Sequence, residues 1–307
     1  MGKVFEVRWH GRGGQGIVTA AKLLAVAAFH EGFKGVQSIP WIGAERRGAQ
    51  IEAYNRISNE PILLHSQVYQ PDVVIVADPS IILENNEAVI RGLKSGGLLL
   101  LNINNPNLLR FIQVPEGCSV YAVNATMICM DLNLEVAGLE ILGVPMLGAF
   151  AKATGMISIR SLKEAFKESF TGTLFQKNFE AVEKAFTSTN KLPLKPDQYV
   201  SPIPPSRPVR IPEIHHWTDL PPVPVSTPSK GSIGKTGSWR THRPVIDEEK
   251  CVKCLFCWMY CPEAAITVNS EGYPQIDYDY CKGCGICSTE CPKEAIRMIV
   301  EERWEAT

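Results

Sequence analysis

The sequence predicts an α/β domain, then a proline-rich extended linker, then a small α+β domain built by duplication. Three observations carry this prediction. Apolar runs alternate with helix-period segments through the first 190 residues. Residues 191–238 hold eleven of the 22 prolines and close on SKGSIGKTGS. Such a stretch supports neither a helix nor a central strand, because proline lacks an amide donor and fixes its own φ. In residues 239–307, eight of the ten cysteines fall into one spacing, CxxCxxCxxxCP, used twice at an offset of 30 residues. The expected divisions are therefore 1–190, 191–238 and 239–307.

VFEVRW (4–9) reads as the first strand, and GIVTAAKLLAVAAFHEG (16–32) places Ile17, Ala21, Leu24 and Ala28 at helical spacing. GVQSIP (35–40) is the second strand. The segment from Gly48 to Ser58, with NRISNEPILLH behind it, is expected to form an inserted β-hairpin. VVIVAD (73–78) and LLLLN (98–102) are apolar throughout and read as strands buried on both faces, with one helical segment, SIILENNEAVIRGLKSGG, between them. Val120 to Val123 is a further strand leading into a helix through MICMDLNLEV. SLKEAFKESF and NFEAVEKAFTST give two amphipathic helices, with Leu162, Phe166 and Phe170, then Phe179, Val182 and Phe186, on their packing faces.

The cysteine spacing specifies chemistry. Cys251, Cys254, Cys257 and Cys261 precede Pro262, and Cys281, Cys284, Cys287 and Cys291 precede Pro292. This run binds [4Fe-4S] cubes in bacterial two-cluster ferredoxins, where the fourth cysteine of each run ligates the other cube. Cluster I is then expected on Cys251, Cys254, Cys257 and Cys291, and cluster II on Cys281, Cys284, Cys287 and Cys261. A disulfide framework belongs to small secreted chains. The start MGKVFEVRWHGRGG lacks the basic and apolar regions of a secretory signal, and no apolar run spans a bilayer, so a cytoplasmic protein is expected. Zinc sites use paired CxxC knuckles rather than three thiols with a remote fourth. Cys118 and Cys129 lie in apolar sequence and read as core thiols. The copies differ in two ways. Leu255 stands where the second copy has Gly285, which leads to the expectation of a less extended turn. Trp258 and Tyr260 are expected to shield cluster I from water.

A formal net charge of −1 gives no sign of a nucleic-acid or membrane-surface partner. Within residues 239–307, twelve Asp and Glu stand against eight Lys and Arg, a surplus that suits docking to a basic patch.

After the first strand comes HGRGGQG, in which Gly11, Gly13, Gly14 and Gly16 open a helix and offer backbone amides to an anion. A nicotinamide cofactor would need an acidic residue ending the second strand, and that strand ends on Pro40 and Trp41. A different phosphate ligand, or a turn required for tight packing, fits better. The next loop, PWIGAERRGAQ (40–50), sets Glu45, Arg46 and Arg47 between glycines, either as a solvated turn or as a receiver of phosphates, carboxylates or a partner chain.

HGRGGQGIVTAAKLLA, WIGAERRGA, PDVVIVADPS and VPMLGAFAKATGMIS together resemble the gamma subunit of 2-oxoacid:ferredoxin oxidoreductases, the pyruvate synthase family. WRTHRPVIDEEKCVKCLFCWMYCPEAAI and IDYDYCKGCGIC resemble the delta subunit, a two-cubane ferredoxin. The resemblance implies a fused gamma-delta chain: an α/β gamma-type domain, a tether and a bacterial-type 2[4Fe-4S] ferredoxin domain. It implies catalysis on partner alpha and beta chains, which hold thiamine diphosphate, Mg2+ and a third [4Fe-4S] cluster. Electrons then leave through this chain to ferredoxin. It also implies a dimer of heterotrimers, pyruvate as the leading substrate with oxalate and other 2-oxoacids as variants, and coenzyme A near the gamma-type glycine and Glu45–Arg46–Arg47 motifs. The competing reading is a separate electron carrier or scaffold, a ferredoxin tethered to an α/β binding domain.

Overall fold

The computed structural model describes residues 4–41, 48–103, 108, 112–136, 138–201 and 235–301, which fall into two compact units. In the first, β1 (Phe5–Arg12) passes through the glycine turn into α1 (Ile17–Glu31), which stops at Gly32 with a left-handed φ of 106°. Next come β2 (Gly35–Trp41), β3 (Gln50–Ser58) and β4 (Val73–Val76). The short helices α2 (Pro79–Glu84) and α3 (Asn86–Ile90) lead to β5 (Leu98–Asn102), β6 (Val114–Pro115) and β7 (Ser119–Val123). The unit continues with α4 (Ala125–Asp131), β8 (Glu135–Val136), β9 (Leu139–Glu140), α5 (Gly143–Thr154), α6 (Ile159–Ser169) and α7 (Gly172–Ser188). It closes on β10 (Asn190–Leu192) and β11 (Tyr199–Val200).

Seven strands form one sheet in the order β10-β7-β5-β4-β1-β3-β2. β7, β5, β4 and β1 are parallel, β10 and β3 run antiparallel to them, and β2 pairs antiparallel with β3 and so runs in the direction of β1. Helices cover both faces. Trp9, Leu24, Phe150, Phe166 and Val182 belong to one core, and Val74, Val76, Ile81, Leu99 and Leu101 to the other. Both faces of β4 and β5 are therefore buried, which explains their unbroken apolar sequence.

Two sequence expectations are corrected here, and one helix was not anticipated. The segment from Gly48 contains no internal hairpin: β3 runs unbroken for nine residues, and the hairpin is the β2–β3 pair. The helix expected between β4 and β5 is broken at Asn85, whose side chain accepts from the Ala88 amide at 3.0 Å and so starts a second helix. Helix α5 carries no amphipathic period because Gly143 to Ala151 are all buried. Gly148 lets it approach α7, where a Cβ would strike the Val182 carbonyl.

Residues 190–200, at the start of the proline-rich stretch, pair through β10 and β11 at edge positions, which proline tolerates. The rest of that stretch, 202–234, lies outside the described residues. Cys118 and Cys129 are buried thiols, as their sequence context implies. No described helix is long and apolar enough to cross a membrane.

The second unit holds β12 (His242–Ile246), α8 (Phe256–Met259), β13 (Ile266–Val268), β14 (Pro274–Ile276), α9 (Ile286–Thr289) and β15 (Ile296–Val300). β12 pairs with β15 and β13 with β14, both antiparallel. Among the described residues its hydrophobic cluster is Cys257, Ile266, Cys287 and Ile296, with Ala265 and Ala295 also buried. A core that small, with two thiols among six side chains, does not stabilise a unit by apolar burial alone.

Candidate functional site

Each cysteine run winds through a left-handed turn into a single helical turn, so that Cys257 on α8 and Cys287 on α9 face inward. One cavity is lined by Cys251, Cys254, Cys257 and Cys291, with Val252, Leu255 and Pro292 among its walls. A second is lined by Cys261, Cys281, Cys284 and Cys287, with Pro262, Glu263 and Lys282. Each cavity thus draws three thiols from one copy and the fourth from the other. The Ala265 amide donates to Cys261 Sγ at 3.3 Å and the Ala295 amide to Cys291 Sγ at 3.2 Å.

All ten cysteines are free thiols. Burial pushes Cys281 up to about 11 and Cys287 up to about 12, and raises Cys257 as well. Such cavities disfavour bare thiolates, and a cationic group among the four sulfurs is what reverses that preference. Among the described residues no three His, Cys, Asp or Glu side chains close on a single ion. Four soft thiols spread around a cavity, with backbone amides aimed at sulfur, fit an iron-sulfur cube.

Two expectations about the first copy are corrected. Leu255 takes the same left-handed backbone as Gly285, with φ of 61° against 76°, and Lys253 matches Gly283, with 56° against 70°. Trp258 and Tyr260 are about half exposed, at 51% and 49%, and neither lines the first cavity. Ile246, Val252, Leu255, Pro274 and Ile296 wall it instead.

In the first unit, the carboxyl ends of β1 and β4 meet where the chain reverses its direction of winding, the usual ligand crevice of an α/β sheet. A buried polar network fills it. Arg12 Nε lies 3.2 Å from Asp78 Oδ2, and Arg12 Nη2 donates to Ser80 Oγ at 2.6 Å and to Glu84 Oε1 at 3.1 Å. Gln15 donates to Asp78 Oδ2 at 2.8 Å and accepts from the Arg12 amide at 2.8 Å. None of these residues stood out in the sequence, because no spacing links positions 12 and 78.

The glycines serve close packing. A Cβ on Gly11 would strike Ile17, and one on Gly16, itself at φ 76°, would meet Ile141 at 2.8 Å. Gly13 exchanges backbone bonds with Ala49 at 2.8 Å and Gly48 at 2.9 Å. Gly14 and Gly16, with Thr19 and Lys177, open on a 670 Å³ cavity whose walls include Ile17, Leu134, Ile141 and Phe170. The strand after α1, β2, runs parallel to β1 but pairs with β3, which lies between them, so the adjacent parallel pair of a dinucleotide-binding βαβ unit does not form at this turn. Glu45, Arg46 and Arg47 lie outside the described residues.

Comparison with known proteins places both units. Residues 6–188 match the family described as pyruvate ferredoxin/flavodoxin oxidoreductase, and residues 244–298 match the 4Fe-4S dicluster domain. The pyruvate/ketoisovalerate oxidoreductases common subunit gamma of Thermococcus kodakarensis is 46% identical over 188 residues, which cover 61% of this chain and 97% of that protein. The pyruvate synthase subunit PorC of Methanocaldococcus jannaschii is 42% identical over 188 residues, or 61% of this chain and 98% of that one. The crystal structure of the pyruvate oxidoreductase subunit PORC of Thermotoga maritima superposes with a TM-score of 0.52 at 30% identity, over 62% of this chain and 98% of that one. The family match spans more than half of the sequence, and the chain belongs to the pyruvate ferredoxin/flavodoxin oxidoreductase family, with a 4Fe-4S dicluster domain following its α/β domain.

Proposed function

We propose that this chain is the fused gamma-delta, electron-transfer subunit of a thiamine diphosphate-dependent 2-oxoacid:ferredoxin oxidoreductase, with pyruvate as its acid and ferredoxin as its acceptor. The observation that carries the reading is the pair of four-thiol cavities, each completed by a cysteine from the other repeat. Cys251, Cys254, Cys257 and Cys291 hold one [4Fe-4S] cluster, and Cys261, Cys281, Cys284 and Cys287 hold the other. When bound, each cube supplies a one-electron site whose added charge is spread over its sulfurs. The protein's part is to fix four thiolates, to donate the Ala265 and Ala295 amides to sulfur, and to keep apolar walls around the cavity.

In this reading alpha and beta chains carry thiamine diphosphate, Mg2+ and a third cluster, within a cytoplasmic dimer of heterotrimers. The part of the proline-rich segment beyond β11 joins the gamma-type body to the ferredoxin domain in sequence. The name of the Thermococcus relative covers both pyruvate and ketoisovalerate, which fits a subunit that leaves the choice of acid to its partners. The 670 Å³ cavity at the helix start, apolar but edged by Lys177 and Thr19, supports a role near coenzyme A, with Glu45, Arg46 and Arg47, which fall between β2 and β3 in the sequence, as further contacts.

The test is anaerobic dye reduction by the natively purified complex on a panel of 2-oxoacids and oxalate, with and without coenzyme A. The expected result is reduction that requires pyruvate and coenzyme A, with alpha and beta chains in equal amount. Activity on oxalate without coenzyme A would replace the substrate. No activity with any acid and no partner chains would overturn the reading in favour of a separate carrier.

A further inference from the structure

The two cysteine runs place different charges at equivalent positions. An offset of 30 residues sets Val252 against Lys282 and Glu263 against Lys293. In the second cavity, Lys282 Nζ lies 2.9 Å from Glu263 Oε1, with side chains only 13% and 6% exposed, and both residues line the cavity beside Cys261, Cys281, Cys284 and Cys287. In the first cavity the same positions are an exposed Val252 and an exposed Lys293, which has no ion-pair partner among the described residues. The other cation near the second cavity, Arg240, donates to the Cys281 carbonyl at 3.0 Å and is itself paired with Glu301. The surroundings of the second cavity are thus charged but internally compensated.

Reducing a cube adds one negative charge, and its potential follows the net charge and dipoles around it. Charges act more strongly in a buried, low-dielectric site than at the surface. Removing one member of a buried pair leaves the other uncompensated. We infer that the Lys282–Glu263 pair sets the reduction potential of the second cluster separately from that of the first, by holding a balanced pair of charges against its cavity. The inference rests on the proposed reading that both cavities hold cubes.

The test uses the full chain, reconstituted anaerobically, with iron content measured and both clusters titrated by EPR. Glu263→Gln leaves the lysine charge and is expected to move one reduction wave to higher potential. Lys282→Gln leaves the carboxylate and is expected to move the same wave to lower potential. Each shift should reach a tenfold change in the ratio of reduced to oxidised cluster at fixed potential, or about 59 mV for one electron. The double variant should return toward the parent value, and the other wave should stay in place throughout. Loosened packing alone would move both single variants in one direction, so shifts of like sign, or no shift at full iron content, would overturn the inference. A parent chain that takes up iron for fewer than two cubes would overturn the underlying reading and the inference with it.

Discussion

Leu255 and Gly285 hold the same place in the two halves of the cysteine-rich repeat and adopt the same left-handed backbone, with φ of 61° and 76°. A leucine in that region costs about 1 kcal/mol that glycine does not. Leu255→Gly is therefore expected to stabilise the cluster-loaded ferredoxin unit by roughly 1 kcal/mol, read as a higher urea midpoint for loss of the cluster absorbance. A lower midpoint would show that the Leu255 side chain contributes more through the cavity wall than its backbone loses.

Gly283 and Gly285 differ in what surrounds them. A Cβ on Gly283 would strike the His242 carbonyl and Arg240, whereas one on Gly285 meets nothing within 4 Å. Gly283→Ala is expected to cost about 1–3 kcal/mol and to impair cluster uptake, and Gly285→Ala about 1 kcal/mol with uptake preserved. Iron content after reconstitution of the two variants checks the contrast.

Much of this was legible before the fold. The thiol spacing identified which four cysteines surround each cavity, because it is the run of bacterial two-cluster ferredoxins, in which the fourth cysteine of each run serves the other cube. The buried strands β4 and β5 were legible from their apolar runs. The Arg12–Asp78 crossing was not, since it depends on which parallel strands become neighbours. Helix α5 was hidden because burial on all sides erases the helical period, and β3 was misread because its polar residues, Asn55 and Arg56, are buried by bonding rather than exposed.

Asp78 forms an ion pair with Arg12 and accepts hydrogen bonds from Gln15 and Ser80 in the crevice between β1 and β4. Asp78→Ala removes the buried carboxylate beside the buried Arg12 guanidinium and keeps Glu84, which is 48% exposed, 3.1 Å away. The α/β unit is expected to lose about 3–5 kcal/mol, measured by chemical denaturation. A loss under about 1 kcal/mol, the range of surface pairs, would contradict the buried network.

The most direct measurement of the central claim is a pair of assays on the intact complex carrying Cys284→Ala. Carbon dioxide release from pyruvate depends on partner chains, whereas ferredoxin reduction passes through the second cavity in this account. The prediction is loss of one cubane's iron and at least a tenfold fall in ferredoxin reduction, with a smaller effect on single-turnover decarboxylation. Full iron content with unchanged ferredoxin reduction would contradict the account.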